Sequence, residues 1–149
     1  MSHRWRGNPV RFTVIHTRAN IERVIIIKQI NLGTFRRLSA IPHITANELI
    51  AALKTDKAPL LLDIRGAAII GDTGPIAGAR VADHRDLKAA VGDWPKNEPI
   101  VTLCACPEDA GAIQAASYLL NEGYVSVKPL RGGYDAWLVA TATHPSSGD

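Results

Sequence analysis

The chain has little sulfur and few aromatic rings: two cysteines, one methionine and 5% aromatic residues in 149. Its cysteines, Cys104 and Cys106, are separated by a single residue. No disulfide framework can be built from them, because a bridge between them would close a very small, strained ring, a redox device and not a staple. So few cysteines suit a reducing compartment, and the expected localisation is cytoplasmic. No second Cys/His pair stands at a usual ligand distance from the first, so neither a metal nor another cofactor is expected. No apolar run approaches the roughly 20 residues of a membrane span. The longest tight cluster, Val24-Ile25-Ile26-Ile27, stops at Lys28, and Met1 to Arg6 lacks the apolar core of a secretory signal.

With 46% hydrophobic and 21% charged residues, the chain has the composition of a globular protein with one proper core. Charge is uneven beneath the formal +3: residues 1–40 hold eight Arg and Lys against Glu22 alone, whereas the rest holds nine basic and thirteen acidic residues. Three parts follow: a basic extension over 1–40, a domain over 41–140 and a disordered tail over 141–149. Within the extension Val10 to Val14 alternates like a strand, and Ile21 to Ile30 fits helix or strand. A basic arm is either a solvated extension or a docking element for a protein or an anionic membrane surface, here the inner face. Trp5, Phe12 and Phe35 are too sparse for a base-stacking platform, so no nucleic-acid partner is expected.

The domain reads as alternating helices and strands. Thr45-Ala46-Asn47-Glu48 has the capping-box pattern, and Leu49, Ile50 and Leu53 supply one apolar face, predicting a helix from about Ala46 to Leu53. Leu60 to Asp63 and Ile100 to Leu103 are short continuous apolar runs between breakers, as in buried parallel strands. Gly66 to Gly78 reads as loop and Arg80 to Ala82 as a brief strand. Asp83 is placed to cap a helix holding Leu87, Ala90 and Val91. Ala110 to Asn121 is the next helix, Val125 to Leu130 a further strand, and Gly132-Gly133 turns into a last helix carrying Trp137. This alternation predicts an α/β fold, a parallel sheet with helices on both faces, whose ligands bind beyond the carboxyl ends of the strands.

Cys104, Asp63 and the glycine turn after Leu130 all fall at that edge. The strand Ile100 to Leu103 delivers Cys104 to it, and the loop Ala105, Cys106, Pro107, Glu108, Asp109, Ala110 and Gly111 opens the following helix. Helix amides and their dipole favour an anion there, so Cys104 is expected to ionise easily. Cys106 is the alternative nucleophile or resolving thiol. Counting back from the helix favours it, but its amide environment loses a donor to Pro107. His84 reads as a surface histidine.

Leu62-Asp63-Ile64-Arg65, Gly74-Pro75-Ile76-Ala77-Gly78-Ala79 and Leu130-Arg131-Gly132-Gly133-Tyr134-Asp135-Ala136-Trp137 stand in this order around the strand-end cysteine. Together they resemble the rhodanese (sulfurtransferase) family, whose L-D-x-R strand end, G-H-I-P-G-A turn, cysteine loop and L-x-G-G-x-x-A-W follow one another from about Ile44 to Ala140. Pro75 replaces the family's histidine and Ala77 its proline, and the C-x-C-P loop is atypical. It is similar, more loosely, to rhodanese domains attached to DedA-type membrane proteins. The resemblance implies a rhodanese-like fold and transfer of a sulfane sulfur from thiosulfate or a persulfide to a thiol or other nucleophile, through a persulfide on Cys104. Asp63 and Arg65 would support the loop. Glu108 and Asp109 would repel a small dianion, so the alternative is a catalytically weak sulfur-carrier or interaction module. A phosphatase is disfavoured, since Ala110, not arginine, stands six residues after Cys104.

Overall fold

The computed structural model describes residues 41–144, and the basic extension and residues 145–149 of the expected tail lie outside them. Four parallel strands, β1 (Leu60–Asp63), β2 (Arg80–Val81), β3 (Ile100–Leu103) and β4 (Val127–Pro129), form one sheet in the order β2-β1-β3-β4. The register pairs Leu60 with Ile100 and Asp63 with Leu103, so both inner strands end level at one edge. Ile44 adds a single parallel bridge to Leu130, its amide donating to the Pro129 carbonyl at 3.1 Å.

Among the described residues five α-helices accompany the sheet: α1 (Ala46–Ala52), α2 (Ala67–Thr73), α3 (Leu87–Val91), α4 (Ala110–Asn121) and α5 (Gly133–Thr143). Successive strand side chains point to opposite faces. Leu60, Leu62 and Ile100 therefore pack with Leu87, Val91, Ala115, Ala116 and Leu119 of α3 and α4. Leu61, Val101 and Leu103 pack instead with Leu49 of α1 and Ala140 of α5. The expected α/β sheet with helices on both faces is what forms. Leu49, Leu62, Leu103, Leu119 and Leu130 are fully buried, and truncating one to alanine would cost about 2–5 kcal/mol.

The predicted capping box is present at α1. Glu48 Oε2 accepts from the Thr45 amide at 2.8 Å, and Thr45 Oγ1 accepts from the Glu48 amide at 3.3 Å. Three expectations need correction. The segment expected as loop contains α2, a seven-residue helix with no buried residue and no side-chain cap, entered from Gly66 at φ 88° and left at Gly74 at φ 86°. It buries no apolar stripe, and tertiary hydrogen bonds from Arg65 to Thr73 and Gly74 hold its last turn. The cap of α3 is Asp86, whose carboxylate accepts from the Ala89 amide at 3.2 Å. Asp83 is occupied instead by Arg85, at 3.0 Å in an exposed pair, which holds its carboxyl down at about 2. Finally, α5 runs to Thr143, past the domain end expected at residue 140, with Thr141 and Thr143 hydroxyls donating back to the carbonyls of Trp137 and Ala140 at 2.8 and 2.9 Å.

Candidate active site

Cys104 follows directly on β3, on the same face as Ile100 and Thr102, and is completely buried, whereas Cys106 is exposed; both are free thiols. Thr102, two positions earlier on the strand, donates its hydroxyl to the Ala112 carbonyl at 2.8 Å and ties the first turn of α4 to the strand. The Cys106 amide points at the Cys104 sulfur, 3.4 Å away. The amide of Ala112 also favours the Cys104 anion, and the neighbouring Cys106 side chain opposes it.

Burial outweighs the two amides, so the Cys104 thiol is pushed up from its ordinary value. The expectation of easy ionisation is therefore corrected. Desolvation penalises the thiolate more than the start of α4 rewards it. The sulfur itself is sheltered from solvent.

Between Cys106 and α4 the chain makes one short turn of 3-10 helix, Pro107–Asp109, in which Glu108 and Asp109 take left-handed backbone conformations at φ 55° and 59°. Such conformations in non-glycine residues are costly and concentrate where surrounding structure imposes them. Here one constraint is visible. The Asp109 carboxylate accepts from the Gly132 amide at 3.0 Å, so the half-buried acid fastens the loop to the glycine turn while Glu108 stays exposed. From the same turn the Tyr134 amide donates to the Cys104 carbonyl at 2.9 Å. A side chain at Gly133, which adopts φ +54°, would fall on that carbonyl oxygen. The double glycine thus permits a close approach of backbone to the cysteine loop.

Asp63 and Arg65 close the far side of this edge. The Arg65 guanidinium grips Asp63 with Nε at 2.8 Å from Oδ1 and Nη2 at 2.6 Å from Oδ2, both side chains fully buried. Its remaining donors reach Thr73 Oγ1 at 2.8 Å and the Gly74 carbonyl at 3.0 Å. Its planar head lies 3.9 Å from the centroid of the Tyr134 ring, a cation–π contact. Hydrogen bonding to Asp63 holds the guanidinium more firmly charged than usual.

The structure thus brings together the two cysteines, the loop residues and the glycine turn, with Asp63 and Arg65 joined to them through Tyr134. Tyr134, Thr73 and Thr102 are parts of this assembly that the sequence did not single out. Tyr134 stands in an x position of the glycine motif, and only the fold sets its ring over Arg65. His84 is exposed, 3.6 Å from Asp83. Among the described residues no three His, Cys, Asp or Glu side chains gather as a metal site, and no helix is long and apolar enough to cross a membrane.

Residues 45–140 match the model of the rhodanese-like domain. The chain is 29% identical over 105 residues to the thiosulfate sulfurtransferase GlpE of Shewanella oneidensis, covering 70% of this chain and all of that one. It is 33% identical over 95 residues to a sulfurtransferase of Allochromatium vinosum, covering 64% of this chain and 86% of the other. Among solved structures, the rhodanese-like domain of the Anabaena Alr3790 protein superposes with a TM-score of 0.57 at 26% identity over 72% of this chain and 87% of its own. A rhodanese-like domain protein from Staphylococcus aureus superposes at 0.56 with 24% identity, over 65% and 91%.

Proposed function

The chain belongs to the rhodanese-like domain family, and from that premise we propose that it is a sulfurtransferase carrying a sulfane sulfur as a persulfide on Cys104. The observation that carries this reading is the position of Cys104 at the end of β3, its sulfur 3.4 Å from the Cys106 amide, with the Ala112 amide of α4 also favouring the anion. The thiol gives up its proton and its sulfur attacks the outer sulfur of the donor. The donor's sulfur–sulfur bond breaks, and the leaving group departs with the electron pair. With thiosulfate, the leaving group is sulfite. A thiol or other nucleophile then removes the sulfane sulfur and restores Cys104.

In this reading Asp63, Arg65 and Tyr134 do not touch the reacting atoms. They hold the backbone from which Cys104 projects, Tyr134 doing so through its amide on the Cys104 carbonyl. Glu108 and Asp109 lower the local concentration of a dianion, so a persulfide donor of smaller charge is favoured over thiosulfate. The reading is tested by sulfite release from thiosulfate with a thiol acceptor. Wild type and Cys106→Ser release sulfite, Cys104→Ser does not; equal rates for wild type and Cys104→Ser would refute the assignment.

A further inference from the structure

Building on the reading of this loop as a persulfide carrier, we propose a second activity: the Cys104–Cys106 pair discharges its own persulfide, releasing sulfide and closing a disulfide within the loop. Three observations converge on it. A methyl group at Gly111 would stand 3.0 Å from the Cys106 sulfur and 3.7 Å from the Cys104 sulfur, so both thiols face one point over the first turn of α4. Cys106 directs its amide at the Cys104 sulfur, 3.4 Å away. Cys104 is buried and Cys106 exposed.

That last contrast decides which nucleophile meets the persulfide. The Cys104 sulfur is buried and the Cys106 sulfur faces the same point over α4, so Cys106 meets a persulfide on Cys104 ahead of a dissolved thiol. An intramolecular nucleophile so placed has a large effective concentration relative to a dissolved acceptor. The chain has no third cysteine to compete.

The step balances without an added oxidant. Cys106 loses its proton to solvent and its thiolate attacks the Cys104 sulfur. A bond forms between the two cysteine sulfurs as the bond to the sulfane sulfur breaks, and hydrosulfide leaves with the electron pair. Two electrons pass from the cysteine pair to the sulfane sulfur, which is reduced to sulfide. If the sulfane sulfur is held on Cys106 instead, attack by Cys104 gives the same products. With a single residue between the cysteines the ring is strained, and strained disulfides are the labile, easily reduced ones. An external dithiol therefore resets the loop.

The experiment is anaerobic incubation of the reduced full chain with glutathione persulfide, removal of the donor, and parallel measurement of sulfide and intact mass without added thiol. Wild type should release one sulfide per chain and end two hydrogens lighter. Cys106→Ser should gain one sulfur, hold it, and release at least roughly tenfold less sulfide until dithiothreitol is added. A wild type that keeps a stable persulfide, or a Cys106→Ser variant that releases sulfide as fast as wild type, overturns the proposal while leaving the sulfurtransferase reading in place. If neither wild type nor either single serine variant takes up sulfur or releases sulfide, the persulfide reading itself fails, and the proposal with it.

Discussion

The substitution Asp63→Asn keeps the shape of the Asp63–Arg65 corner and removes one of its two charges. In the native protein the Arg65 guanidinium is shielded from water, and its charge is met by a carboxylate at 2.6–3.1 Å through three contacts. The variant leaves that cation buried beside a neutral amide whose own N–H hydrogens face the guanidinium. Removing one member of a buried ion pair costs about 3–5 kcal/mol, because the remaining charge is uncompensated. That is a large share of the roughly 5–15 kcal/mol typical of a domain. With a urea m-value of about 2 kcal/mol/M, the midpoint should fall by roughly 1.5–2.5 M with the slope unchanged. Asp83→Asn is the control. It breaks an ion pair of similar length in which both side chains are at least half exposed, and the midpoint should scarcely move. Because Arg65 also supports Tyr134, persulfide formation by Asp63→Asn should slow even without urea. A midpoint shift under about 0.5 M, or one equal to that of Asp83→Asn, would refute the idea that this pair anchors the edge.

Three further outcomes follow from the same geometry. Gly133→Ala places a methyl on the Cys104 carbonyl and forces a left-handed alanine; it should lose at least about 1 kcal/mol of stability and most sulfur transfer, and full activity would contradict the close approach. Since burial pushes the Cys104 thiol up, its alkylation by iodoacetamide, resolved by peptide mass, should lag free cysteine at pH 7 and climb only above about pH 8.5. The fold favours the neutral thiol, so its contribution to stability is complete below the ordinary thiol value and is lost as pH rises through the raised one; a titration midpoint below about 8.5 would contradict the burial argument. Replacing Glu108 and Asp109 by Gln and Asn removes two charges while the side-chain oxygen at position 109 can still accept from the Gly132 amide; kcat/KM for thiosulfate should rise several-fold, about 1 kcal/mol or less for each charge, and the gain should shrink in high salt. A salt-independent change would point to loop geometry instead.

The parts of this fold that depend on local pattern were legible in the sequence. Leu60–Asp63 and Ile100–Leu103 are strands with the expected bounds because each is an apolar run between breakers, buried on both faces. The helix Ala110–Asn121 likewise has the expected ends, its Ala112, Ala115, Ala116 and Leu119 forming the buried stripe. What was not legible depends on distant partners. No pattern within Ala67–Thr73 reveals that Arg65 will hold its last turn, or that Tyr134 will lie over that arginine. At the site, chain order brought Cys104, Asp63 and the glycine turn to one edge, but the balance between helix amides and desolvation at the Cys104 sulfur depends on how fully the fold covers it. As residues in a row, Glu108 and Asp109 look equivalent, whereas the structure ties Asp109 to Gly132 and leaves Glu108 exposed.

The central claim, a persulfide carried on Cys104, is tested most directly by locating the sulfur. The Cys106→Ser variant is incubated with a sulfane-sulfur donor, capped with iodoacetamide without reductant and digested, and its peptides are weighed. The account predicts one added sulfur on the capped peptide bearing Cys104, and none on the corresponding peptide of Cys104→Ser under the same treatment. Added sulfur on Cys106 in Cys104→Ser, with none on Cys104 in Cys106→Ser, would contradict it and move the carrier two residues along the loop.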